Sequence, residues 1–133
     1  MRFTEQEIAA AQQLRELGLP WTPQPGHFVL DMTGFCKAGS PFQDRVYFIL
    51  NYDYFIGKVG GVDEFKRIML WLPAWHDARE ILRSMNVSDN KVAEFLHSQR
   101  AVEDGTELLA LYEMIKACLA HEAAAANNEA VVT

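Results

Sequence analysis

The stretch IMLWLPAWHDAREIL, residues 68–82, sets two tryptophans either side of a Leu-Pro step and follows them with a His-Asp-Ala-Arg-Glu cluster. How it divides between strand, turn and helix decides the fold. Leu72 precedes a proline, which disfavours helical backbone at that residue. Pro73 suits the first turn of a helix, where its missing N–H costs nothing. Trp75, Ala78, Leu82 and Met85 then share one stripe, while His76, Asp77, Arg79, Glu80 and Arg83 fall mostly elsewhere. The run Ile68–Pro73 has the length of a strand or a turn. The spacing predicts a helical piece from residue 62 or 63 to about 69, a turn at Leu72-Pro73, and a helix from Pro73 onward. On this reading Trp75 packs inward and Trp71 fills the corner between two helices.

Upstream, Thr4-Glu5-Gln6-Glu7 is a capping-box pattern, and Ile8, Ala11, Leu14 and Leu17 recur at helical spacing. Gly18 and Pro20 close that helix over residues 4–17. Residues 19–26, Leu-Pro-Trp-Thr-Pro-Gln-Pro-Gly, form a stiff connector with Trp21 tucked in. A Pro-rich ligand for a partner is the alternative reading of that segment. His27–Asp31 reads as a strand, Met32–Phe35 as a turn through Gly34, and residues 36–44 as a loop. Arg45–Leu50 is the strongest strand signal, and its nearly continuous apolar run implies cover on both faces. The two strands pair antiparallel across the loop. Asp53 caps a short helix that ends at Gly60-Gly61.

Downstream, Ser88 caps a helix with Val92, Phe95 and Leu96 inward. Asp104 or Thr106 opens the last helix, with Leu108, Leu109, Tyr112, Ile115 and Leu119 on its apolar stripe. The expectation is one globular domain over residues 1–122 and a frayed tail over 123–133. Its class is α+β: a small antiparallel sheet of two or three strands packed against about five or six helices.

The chain of 133 residues, half of them hydrophobic, can build one real core. Its net charge of −6 and its scattered lysines and arginines speak against nucleic acid and against an anionic membrane surface as partners. The polar start Met1–Glu7 lacks the apolar segment of a signal peptide. No apolar stretch reaches the roughly 20 residues of a membrane span. Cys36 and Cys118 are then two free thiols, and a cytoplasmic protein is the simple expectation.

Chemistry is sparse. The sequence has no phosphate loop, dinucleotide-binding glycine motif, nucleophile elbow, HExxH or CxxC. Its four histidines, His27, His76, His97 and His121, lie singly, so no metal ligands and no catalytic residues are nominated. The first expectation is a binding or regulatory module acting through a protein partner or a second copy of itself. The alternative is a small-molecule binder with its pocket near Trp71–Arg79. Its candidate residues are Trp71, Trp75, His76 and Arg79, with Tyr47 and Tyr52. A neutral imidazole could serve as base or ligand and a guanidinium could clamp an anion. Haem, held by His76 between aromatic walls, is one conceivable occupant. An enzyme using His76 with Asp77, Glu80 or one of the sheet-end aspartates Asp31, Asp44 and Asp53 comes third.

The order strand, Leu-Asn-Tyr-Asp, short helix, Trp-Leu-Pro-Ala-Trp-His-Asp-Ala-Arg-Glu-Ile-Leu, then Glu-Leu-Leu-Ala-Leu-Tyr-Glu-Met-Ile-Lys resembles small uncharacterised bacterial and phage-type domains over roughly residues 25–119. The shared Trp-Leu-Pro step before a helix is a structural motif, and the resemblance implies no activity and no catalytic residue.

Overall fold

Met69–Leu72, at the heart of the stretch read as a helix end and turn, is a β-strand. The computed structural model describes residues 2–132, with side-chain burial through Ala126. In chain order the elements are α1 (Glu5–Glu16), β1 (Phe28–Asp31), β2 (Val46–Phe48), α2 (Tyr52–Val59), α3 (Val62–Ile68), β3 (Met69–Leu72), α4 (Trp75–Ser84), α5 (Asp89–Ser98), α6 (Ala101–Asp104) and α7 (Glu107–Val132). The class is α+β as expected, with seven helices and three strands among the described residues.

The sheet order is β2-β1-β3, and both pairings are antiparallel. Phe28 faces Phe48 on one side and Leu72 on the other, and Val29 lies between Tyr47 and Trp71. Met69-Leu70-Trp71-Leu72 escaped a strand reading because it is apolar throughout. A strand covered on both faces shows no alternation, and by composition it cannot be told from buried helix. Met69 settles the matter locally, since its φ of −109° and ψ of 133° turn the end of α3 directly into extended chain.

Alternation then sorts the strands onto two cores. Leu30, Val46, Leu70 and Leu72 join α1, α4, α5 and α7 in the larger one, with Phe3, Leu14, Leu82, Leu111, Tyr112 and Ile115. Val29 and Met69 point the other way, against Ile49, Val59, Phe65 and Ile68, under the cover of α2 and α3. Each core residue removed from water contributes on the order of 1.5–3 kcal/mol for a large side chain.

Local signals hold most elements in place. The Thr4 hydroxyl accepts from the Glu7 N–H at 3.0 Å, and the Glu7 carboxylate accepts from the Thr4 N–H at 2.8 Å. At the far end of α1, Gly18 adopts φ +84°, and the Leu19 N–H reaches the Leu14 carbonyl at 3.0 Å. That left-handed residue turns the chain into the connector. Helix α2 is capped by Asn51, whose side chain accepts from the Tyr54 N–H at 3.2 Å, and not by Asp53 as expected. Helix α4 starts at Trp75 with Ala74 as its N-cap, so Pro73 lies just outside the first turn. Helix α7 continues through the alanines that follow its apolar stripe. Ala123–Ala126 are exposed there, and the side chains of the rest of that tail lie outside the described residues.

Candidate functional site

One cluster of polar and aromatic side chains forms where the connector, β1, β3 and the first turns of α4 meet. Alternation puts His27, at the head of β1, on the same face as Val29. Trp71, paired with Val29, lies there too. The two rings are diagonal cross-strand neighbours and stack at 4.8 Å with 24° between planes. Trp21 arrives from the connector and stacks on Trp71 at 5.9 Å and 8°. Its indole N–H donates to His27 Nδ1 at 3.1 Å. Rings joined by that bond cannot sit on opposite faces of Trp71, so Trp21 and His27 lie side by side over one face.

Asp77 comes from α4. Its carboxylate is buried, and Oδ2 accepts from the Ala74 N–H at 3.0 Å. Ala74 has no side-chain oxygen, so the acidic residue alone supplies this end of the cap. The other oxygen lies 3.2 Å from His76 Nε2 and 3.9 Å from His27 Nε2. Two imidazoles therefore flank one buried carboxylate.

An open cleft of about 720 Å³ runs along this cluster, with Gln24, His27, Trp71, His76, Asp77 and Glu80 on its walls. Among the described residues its lining holds two carboxylates and neither lysine nor arginine. Burial, reinforced by His76 nearby, holds His27 below the ordinary histidine range, although Asp77 and Glu80 pull it upward. The Trp21 bond acts in the same sense as burial, because Nδ1 must stay unprotonated to accept it. His27 is thus neutral at pH 7, with its proton on Nε2 facing Asp77. The Trp71 indole N–H is buried with no partner among the described residues.

Of the residues nominated from sequence, the structure brings Trp71 and His76 together at the cleft. Trp75 is not a core residue: it is 37 % exposed, and the buried side of α4 carries Asp77, Ala78 and Leu82 instead. Its ring packs under the Arg79 guanidinium at 5.9 Å, one helical turn on. Arg79 turns away from the cleft and bonds the Asp89 carboxylate of α5 at 2.9 Å. Tyr47 shares the sheet face with Trp71 but stands across β1 from it and donates its hydroxyl to the Ala38 carbonyl at 2.6 Å. Tyr52 opens α2 and packs into the smaller core. His27 and Trp21 were the residues that sequence reasoning passed over as site members. Their one legible signal was a lone histidine opening a strand directly after a Pro-rich connector.

Chemically the cluster can orient and exchange protons, and two hydroxyl residues, Thr22 and Ser84, share its cleft. The Ser84 hydroxyl, on the cleft wall, donates to the Ile81 carbonyl of its own helix at 2.6 Å. Among the described residues no group of three or more His, Cys, Asp or Glu side chains is placed to hold a metal ion. None of the described helices is long and apolar enough to cross a membrane. No family model, curated protein or solved structure matches this chain, so the site is read from its geometry.

Proposed function

We propose that this protein is a cytoplasmic small-molecule-binding module whose site is the Trp71 cleft. The carrying observation is the convergence of His27, His76, Asp77 and Glu80 on one aromatic-walled cleft of ligand size. Two carboxylates without a lysine or arginine favour a neutral or cationic occupant that donates hydrogen bonds. The Trp71 and His27 rings favour a planar one. Haem fits this lining poorly, since its propionates would meet Asp77 and Glu80, and the His76 side chain is 71 % exposed. The free thiols Cys36 and Cys118 support the cytoplasmic reading.

The test is a thermal-shift and tryptophan-fluorescence titration with adenine, nicotinamide and benzamidine, set against oxalate, a planar anion with no apolar body, as the anionic control. Native mass spectrometry of the purified chain reports any retained molecule. A ligand at about 100 times its Kd adds about 2.7 kcal/mol to stability, a shift of several degrees in Tm. At least one of the three should bind, and H76A and E80Q should weaken it. Absence of any shift, or binding that ignores both variants, refutes the reading.

A second reading rests on a separate observation. Trp75, exposed and stacked with Arg79, is the kind of aromatic-arginine pair that anchors protein interfaces. A protein partner or a homodimer through the outer face of α4 would use it. Sedimentation of wild type and W75A decides: a dimer that W75A dissociates supports it, and a monomer at all concentrations removes the homodimer form.

A further inference from the structure

We infer that a second cavity, sharing only Trp71 with the cleft, binds a short apolar carboxylate. It lies between α1 and β3, walled by Ala11, Leu14, Leu19, Trp21, Met69 and Trp71, with a volume of about 110 Å³. A dry enclosed cavity of roughly 150 Å³ takes up benzene; this one is smaller and open at its mouth, so it seats a phenyl ring or a short branched chain with the polar end left outside. Ala11 of α1 contributes only a methyl group to its wall.

The rim gives the occupant its charge. Arg15 and Lys66 line the cavity, and no acidic side chain does. Arg15 is held across the rim by two bonds: its guanidinium donates to the Arg67 carbonyl at 3.0 Å and to the Met32 sulfur at 3.2 Å. The nearby acid Glu64 is engaged by the Arg67 guanidinium. The exposed Lys66 has no ion-pair or hydrogen-bond partner among the described residues. An apolar body inside and one negative group at the mouth satisfy both parts, and a monocarboxylate is the smallest molecule that offers them. The cleft has the opposite charge preference, so one chain carries two sites of different chemistry.

The experiment titrates the whole chain with benzoate and 4-methylpentanoate, following the indole N–H signals of Trp21 and Trp71 by NMR. Benzamide and benzylamine are the uncharged and cationic controls. The carboxylates should saturate with a Kd on the order of 1 mM. Benzamide should bind at least about tenfold more weakly, and the surface variant K66E should lower benzoate affinity by at least about tenfold. A11L, which fills the cavity, should abolish binding, and K66E keeps the test decisive if A11L does not fold. The inference is overturned if benzoate does not saturate, if benzamide binds equally, or if K66E leaves affinity unchanged. Loss of benzoate binding in H76A or E80Q overturns it too, by placing the ligand in the cleft.

Discussion

Replacing Asp77 by alanine should damage this protein through one buried backbone N–H. In the native state that N–H, on Ala74, donates to Asp77 Oδ2 at 3.0 Å, and both groups are buried. The alanine leaves the donor without an acceptor, which costs about 1–3 kcal/mol. It also removes an acidic group from the first turn of α4, worth about 0.3–1 kcal/mol with the helix dipole. A total of about 2–3 kcal/mol is a large share of the roughly 5–15 kcal/mol available to a small domain. With a urea m-value of about 1–3 kcal/mol per molar, the midpoint should fall by about 0.7–3 M. D77N is the control, because its amide oxygen can still accept from Ala74 and should recover most of the loss. The assay is urea denaturation at pH 7.5 followed by far-ultraviolet circular dichroism. A D77A midpoint within about 0.3 M of wild type would refute the capping argument. So would a D77N variant as unstable as D77A, which would assign the effect to charge.

The remaining predictions concern titration and reactivity. His27 is held below its ordinary value of 6.5, so the unfolded chain takes up a proton more readily than the native one. Its contribution is complete above pH 6.5 and is lost as pH falls through the native value, at up to about 1.4 kcal/mol per pH unit. Urea midpoints measured from pH 7.5 to 5 should show this slope, and H27N should flatten it; an unchanged slope in H27N contradicts the assignment. Burial would raise Asp31, but N–H groups of Cys36, Phe35, Thr33 and Gly34 donate to its carboxylate at 2.7–3.2 Å and hold it below its ordinary 3.8. Its stabilisation is present above pH 3.8 and disappears as pH falls through the native value. D31N, offering an amide N–H₂ where Cys36 needs an acceptor, should cost about 2 kcal/mol at neutral pH. Burial and then the Asp31 charge push the Cys36 thiol up to about 11. Iodoacetamide at pH 8 should therefore alkylate Cys36 about 100-fold more slowly in the native chain than in urea. Comparable rates would remove Asp31 and its surroundings as the cause.

The helices were largely legible because their signals are local. Thr4 and Glu7 sit three residues apart and cap α1 by that spacing alone, and Gly18 ends it by tolerating a left-handed backbone. Ser88 caps α5 as its residue type suggests. The α2 cap was misplaced by two residues, since Asn51 and Asp53 are both good capping types, and the larger misreadings come from distant contacts. Met69–Leu72, read as helix end and turn, is a strand because β1 offers it a partner more than thirty residues back in the chain. Trp75 was expected inside because it is large and in register with Ala78 and Leu82, yet the first turn of α4 buries Asp77 and Ala78 while Trp75 stays partly exposed against the Arg79 guanidinium.

The site was half legible for the same reason. Trp71 and His76 lie in one short stretch, and their nearness in sequence was enough to nominate them. His27 and Trp21 join them only because β1 and β3 run antiparallel in a register that sets Val29 opposite Trp71, and because the connector folds back over that face. By itself the sequence determined the α+β class, the N-caps of α1 and α5, the acidic charge and the absence of recognisable catalytic motifs. These depend on composition and on residues within a turn of one another. Tertiary structure alone decided the third strand, the two cores and the pairing of two imidazoles with one buried carboxylate. Each of those is a meeting of distant segments, whose free energy comes from apolar surface that only the folded chain can bury.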